Sequence, residues 1–118
     1  LTLWGISDLS PLVSLINLTD LKLTRNNLTV LHPLMGLVNL QKLNLQHNNI
    51  VNLHPLTALV NLQELNLQFN RIVDLKPLAD NSGLSQGDIV MVERNPLSKM
   101  SRDQHIPALE ARGVIVRW

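Results

Sequence analysis

The sequence predicts an α/β fold: a horseshoe-shaped solenoid with a parallel sheet on its concave face and short helical turns on its convex face. Three observations predict it. The chain repeats with a step of 22 residues, so that LTDLKLTRNNLTVLHPLMGLVN (18–39), LQKLNLQHNNIVNLHPLTALVN (40–61) and LQELNLQFNRIVDLKPLADNSG (62–83) align without a gap. Each unit carries a Leu-x-Leu step followed by x-x-Asn, with leucines at Leu21/Leu23, Leu43/Leu45 and Leu65/Leu67. Each also carries a Pro-Leu pair, at Pro33-Leu34, Pro55-Leu56 and Pro77-Leu78.

The Leu-x-Leu step is brief and alternating, the pattern of a half-buried strand. Proline suits the first position of a helical turn, because its φ is preset and its missing N–H has no partner there. The Leu34/Leu37 and Leu56/Leu59 spacing then brings both leucines to one face of that turn. A single strand–turn–helical-turn unit cannot bury its leucines, whereas stacked units share one core. Residues 1–17 are the tail of another unit, with Leu9, Pro11, Leu12, Leu15 and Asn17 in register. Residues 88–97 keep the strand and asparagine pattern after a three-residue insertion, since Asn95 lies 25 after Asn70. The expected organisation is therefore repeats over 1–97, the first of them truncated, and a capping segment of the same solenoid over 98–118.

Composition limits the alternatives. The 118 residues carry a net charge of +1, without the basic concentration a nucleic-acid or anionic-membrane partner requires. There is no cysteine, hence no disulfide framework and no thiolate metal site. No apolar run approaches the roughly 20 residues of a membrane-spanning helix, so no membrane insertion is expected. The chain begins with Leu rather than Met, which reads as a fragment or a processed product.

Asn26, Asn48, Asn70 and Asn95 fall where the chain leaves the strand and turns inward. Backbone groups buried in such a turn need partners, and a side-chain amide offers both a donor and an acceptor. These four read as a structural ladder. Asn17, Asn39 and Asn61 are expected to do similar work at the return to the strand, and Trp4 breaks the first series.

With the consensus L-x-x-L-x-L-x-x-N-x-[LI]-x-x-L-x-P-L-x-x-L-x-N in view, the chain resembles bacterial leucine-rich-repeat proteins, and its 22-residue Pro-Leu unit is most similar to that of the internalins and related surface proteins. The resemblance covers residues 1–97, and the stretch from Asn81 to Val116 is similar to the terminal segment of many bacterial repeat proteins of this kind. It implies protein–protein or protein–ligand binding through the concave sheet of a surface or secreted protein, and no cofactor is expected. It does not transfer a partner, which depends on the variable surface residues.

A cap must close the core with a more polar outer face. Ser101-Arg102-Asp103-Gln104 has the form of a capping box, Gly113 fits a helix stop, and Pro107 predicts a broken or late-starting helix. Val114-Ile115-Val116 reads as a last strand.

Three stretches carry residues that could support chemistry. Gly83-Leu84-Ser85-Gln86-Gly87 matches the G-x-S-x-G nucleophile elbow, with Asp103 and His105 following. The elbow needs a strand before the serine and a helix after it, the reverse of the order here, so no enzyme is expected. His32 and His54 stack one repeat apart, roughly 5 Å, but Ser10 and Lys76 at the equivalent positions supply no third ligand. Asn17-Leu18-Thr19 and Asn27-Leu28-Thr29 match the glycosylation sequon, the first of them assigned to the interior and thus empty.

Side chains alternate across a strand, so the residues between the inward leucines form rows on the open face. The first is Asp20, Lys42, Glu64 and Ile89, and the second Lys22, Asn44, Asn66 and Met91. The third is Thr2, Thr24, Gln46, Gln68 and Glu93, with Arg25, His47, Phe69 and Arg94 at the rim. From Lys22 and Lys42 to Arg94, these residues are the candidate binding face, with an apolar corner at Phe69, Ile89 and Met91. The rival reading is a structural element that self-associates through the open edge at Leu1, Leu3 and Ile6.

Overall fold

A computed structural model describes residues 1–118. Five short strands, β1 (Asp20–Lys22), β2 (Lys42–Asn44), β3 (Glu64–Asn66), β4 (Ile89–Met91) and β5 (Ile115–Arg117), form one parallel sheet in chain order. The register follows the 22-residue step, with Leu21 opposite Leu43 and Leu43 opposite Leu65, and the 25-residue step places Leu65 opposite Val90. On the convex side the Pro-Leu pairs start 3-10 turns at Ser10–Leu12, His32–Leu34 and His54–Leu56, and a short α-helix, α1, at Lys76–Ala79. In all four the proline occupies the first or second position. The chain is a leucine-rich-repeat solenoid.

The core is almost entirely aliphatic, a continuous cluster of 27 buried residues running from Leu9 to Val114. Leu12 is buried but its partner Leu15 is 40% exposed, whereas the equivalent Leu37 and Leu59 are fully buried.

The asparagines bind in one direction. The Asn48 side-chain oxygen accepts the N–H groups of Asn26 and Leu28 in the coil before it, at 3.0 and 2.9 Å. Its amide nitrogen donates back to the carbonyls of Leu23 and Leu45, both at 2.9 Å. Asn70 does the same for Ile50 N–H and for the carbonyls of Leu45 and Leu67. Asn95 serves Ile72, Leu67 and Val92. Asn26 closes the first coil by accepting from Ile6 N–H and donating to Leu3 O. An asparagine at position 4 would therefore serve residues before Leu1, and Trp4 is free to stand there, 71% exposed.

Three expectations need correction. Ser101 does not cap a helix, since no side-chain cap bond forms there. It is fully buried inside a π-turn, Ser101–His105, that leads into α2 (Ile106–Ala111), and its hydroxyl accepts Leu75 N–H at 2.8 Å. The apolar packing of the terminal segment on α1 draws this serine inward. Asn17 is not interior: it is exposed, as are Asn39 and Asn61, whose amides donate across the outside of the coil to Ile16 O and Val38 O. Thr2 does not stand opposite Thr24. It pairs with Lys22, because the Trp4-Gly5 turn leaves the first coil two residues shorter between strand and turn.

Two interactions had no repeat signal. Asn81 is fully buried and its amide donates to Leu56 O and Leu59 O, at 2.9 and 3.1 Å. Two residues on, Gly83 replaces the outer asparagine, and a Cβ there would lie 1.9 Å from Val60 O. The chain backbones of adjacent coils touch at that point.

Candidate concave binding face

The β-strands present their alternate residues to the concave side, and no candidate there is buried. Lys22, Lys42 and Glu64 are exposed, Asn44, Asn66, Ile89 and Met91 are half-buried, and the flanking leucines are buried beneath them. Beyond the strands, Thr24, Gln46, Gln68 and Glu93 are half-buried. Asn44 and Asn66 fold their side chains onto the strand end, accepting the N–H groups of Gln46 and Gln68 at 3.0 Å. Lys42 stands between Asp20 and Glu64 in register, yet makes no ion pair with either. One Glu93 carboxylate oxygen is out of solvent and unpartnered.

A depression of about 90 Å³ runs across the first three strands, lined by Asp20, Lys22, Lys42, Asn44, Glu64 and Asn66 together with two core leucines. Pockets for drug-sized ligands start near ~300 Å³. The concave face is suited to a broad, shallow contact.

Its rim has a distinct geometry. Arg25, His47, Phe69 and Arg94 all have left-handed backbones, with φ of 60°, 57°, 57° and 61°. The His47 and Phe69 rings stack, their centroids 4.2 Å apart and their planes 11° from parallel. Phe69 is 42% exposed. Sequence reasoning placed these residues side by side but held no sign of the left-handed turn, because none of the four is glycine.

The other candidate chemistry is not assembled. Ser85 is exposed and pairs with Asp88, its N–H donating to the carboxylate at 2.9 Å, and it makes no bond to His105. His105 instead meets Ser101, Oγ to Nδ1 2.9 Å, with Asp74 3.7 Å from the same nitrogen. A relay needs the serine and the carboxylate on opposite ring nitrogens. With both at Nδ1 and the serine fully buried, this cluster docks the terminal segment onto α1. His32 and His54 are exposed on the convex side, and no group of three His, Asp or Glu residues gathers anywhere.

The shifted ionisations also lie off the concave face. Hydrogen bonds from the Ser10 hydroxyl and N–H hold Asp8 below its ordinary 3.8, and a bond from Lys99 does the same for Asp103. Their stabilisation is present above that value and is lost as acid protonates them. The Asp80 carboxylate raises Lys76 above 10.5 by hydrogen bond and charge, so that contribution is present below 10.5 and lost in strong alkali. All three groups are exposed to solvent, which screens them, and their contributions to stability are minor.

The family model described as leucine-rich repeats (two copies) matches residues 38–80. Among solved structures, internalin C2 of Listeria monocytogenes is 33% identical with a TM-score of 0.79, over 95% of this chain and 46% of its own. A second Listeria monocytogenes internalin is 26% identical with a TM-score of 0.82, over 96% of this chain and 33% of its own. A leucine-rich-repeat protein of Leptospira interrogans, 24% identical with a TM-score of 0.84 over the whole chain and 30% of its own, shares the fold. No curated protein matches significantly. The chain spans less than half the length of each of these three structures.

Proposed function

We propose that this chain, similar in repeat and fold to bacterial internalins, is a non-catalytic scaffold that binds another protein through its concave face. The observation that carries the reading is the contrast along β1, β2 and β3: a buried leucine lies between unburied polar or charged residues, and the outer row runs Asp20, Lys42, Glu64 and then Ile89 in β4. Constant inward residues specify the fold, and variable outward ones are free to specify a partner. In this reading Lys22, Thr24, Arg25, Lys42, Asn44, Gln46, His47, Glu64, Asn66, Gln68, Phe69, Ile89, Met91, Glu93 and Arg94 form the contact surface. Residues 98–118 act as the cap, and the parent protein works at the cell surface or after secretion. No helix is long and apolar enough to cross a membrane.

The test is positional photo-crosslinking in the parent protein. A photoreactive side chain at Asn44 or Asn66 captures a protein partner, and the same group at His54 on the convex turn does not. Capture from His54 alone would overturn the reading. The structural alternative, stacking of copies through open sheet edges, rests on the second edge of β5, which pairs only with β4. Light scattering over a concentration series decides it, since a monomer at every concentration removes that alternative.

A further inference from the structure

We infer that the rim row Arg25, His47, Phe69 and Arg94 is an anchor subsite for an acidic segment of the partner protein, with one aromatic side chain of that segment laid against the His47–Phe69 stack. The inference rests on the concave-face reading and names the partner's chemistry.

Position comes first. The N–H groups of Arg25, His47 and Phe69 donate to Gln46 O, Gln68 O and Glu93 O, at 3.0, 3.0 and 3.1 Å. These bonds extend the sheet ladder past the strands and set the four residues beside one another in coil order. Adjacent strands lie about 4.8 Å apart, so three steps span roughly 15 Å, the reach of about five extended residues.

Backbone strain is the second observation. A left-handed backbone on a residue with a Cβ is unfavourable by about 1 kcal/mol, whereas glycine adopts it freely and asparagine tolerates it. The chain uses glycine or asparagine at its other left-handed positions, Gly5, Asn27, Gly87 and Gly113, with φ of 66°, 56°, 88° and 86°. Along the rim it keeps Arg, His, Phe and Arg instead. Four strained positions in succession, each with a large side chain, are explained by what those side chains touch outside the fold.

Charge decides the occupant. The first strand row mixes Asp20, Lys42 and Glu64, whereas the rim row holds two guanidiniums and no carboxylate. Neither Arg25 nor Arg94 forms an ion pair or a side-chain hydrogen bond. The nearest carboxylate in sequence, Glu93, belongs to the adjacent row and pairs with neither. Unpaired guanidiniums at both ends of a stacked aromatic pair complement a segment with carboxylates flanking an aromatic ring.

The experiment is an NMR titration of the 118-residue chain with blocked pentapeptides: Glu-Glu-Tyr-Glu-Glu, its Gln-Gln-Tyr-Gln-Gln counterpart and its Lys-Lys-Tyr-Lys-Lys counterpart. The acidic peptide is expected to shift the His47 and Phe69 ring resonances saturably. Its affinity should fall about tenfold between roughly 0.05 and 0.5 M salt. The glutamine peptide binds several-fold more weakly, the lysine peptide does not bind, and Arg25→Ala or Arg94→Ala weakens the acidic one with an otherwise unchanged amide spectrum. Equal binding of the acidic and glutamine peptides, or no movement of either ring at millimolar peptide, overturns the subsite. Shifts confined to the Asn44 and Asn66 side-chain amides also overturn it while leaving the concave-face reading in place. Capture only from His54 in the crosslinking experiment removes both.

Discussion

The middle coils and the terminal segment are both fastened to their neighbours by polar groups crossing between coils, but they use different economies of sequence. In the coils one chemistry recurs: Asn48, Asn70 and Asn95 each accept from a backbone N–H one coil back and donate to two carbonyls. In the terminal segment every contact occurs once. The Ser101 hydroxyl accepts Leu75 N–H, and the Arg112 guanidinium reaches the carbonyls of Leu78, Ala79 and Asn81. Gly113, at φ 86°, lies where a Cβ would come within 2.9 Å of Gln86. Repetition spreads the stability of the solenoid over equivalent bonds, and the terminal segment concentrates its attachment in a few that have no substitute.

The largest effect tests the closest approach between two adjacent coils. Gly83→Ala forces a methyl group into Val60 O, and the two coils must separate. We expect a loss of about 3 kcal/mol or more in denaturant unfolding. A loss under about 1 kcal/mol would show that the backbones there part freely.

Next is the ladder. Asn48→Ala leaves the Asn26 and Leu28 N–H groups and the Leu23 carbonyl without this partner and should destabilise by about 2 kcal/mol. Gln46→Ala, on the concave face, should stay within about 0.5 kcal/mol. Equal effects would erase the distinction between interior and surface polar rows.

Ser101→Ala removes the acceptor of a buried N–H, a loss of about 1.5 kcal/mol. It sharpens the comparison through where the loss appears. Hydrogen exchange should quicken in residues 98–118 and leave the amides of β1 to β3 protected, whereas Asn48→Ala should speed exchange across the coils. Global loosening by Ser101→Ala would make the terminal segment an integral coil.

The smallest effect is a gain. The first N–H of the convex turn is accepted by Asp8 in the first coil, Asn52 in the third and Asp74 in the fourth, at 2.9, 2.9 and 2.8 Å. Val30 holds that place in the second coil, 62% exposed, and leaves His32 N–H without this bond. Val30→Asn should raise stability by about 0.5 kcal/mol. No change in the unfolding midpoint would mean that water already serves that N–H.

The same contrast governs how much could be read from the sequence. The leucine core, the sheet order, the convex turns and the asparagine ladder each leave a mark every 22 residues, and a mark repeated three times is hard to mistake. Ser101 was legible only as a local capping pattern, because its true partner, Leu75, lies 26 residues away and recurs nowhere. Asn81 and Gly83 sit where the repeat is about to be abandoned, and nothing periodic announces them. The outer asparagines misled in the opposite way, since recurrence revealed a shared role but not the side of the backbone they occupy. On the concave face the rows followed from alternation alone, except at Thr2, where the shortened first coil shifts the register by two. The rim's left-handed turn was invisible because its usual marker, glycine, is absent.

The backward direction of the asparagine bonds gives the chain an order in time. Leu28 N–H waits for Asn48, Ile50 for Asn70 and Ile72 for Asn95, 20, 20 and 23 residues later. As the polypeptide leaves a ribosome, each turn is therefore born with its inner groups open and is sealed only when the following unit has emerged. A unit whose successor has been made has partners for these groups, and the newest unit does not. A copy of residues 40–61 spliced between positions 61 and 62 would inherit this rule intact, since it brings an asparagine for the unit behind it and is itself sealed by Asn70. Lengthening by whole units thus needs no new kind of contact, and each added unit adds one more residue to every row of the concave face.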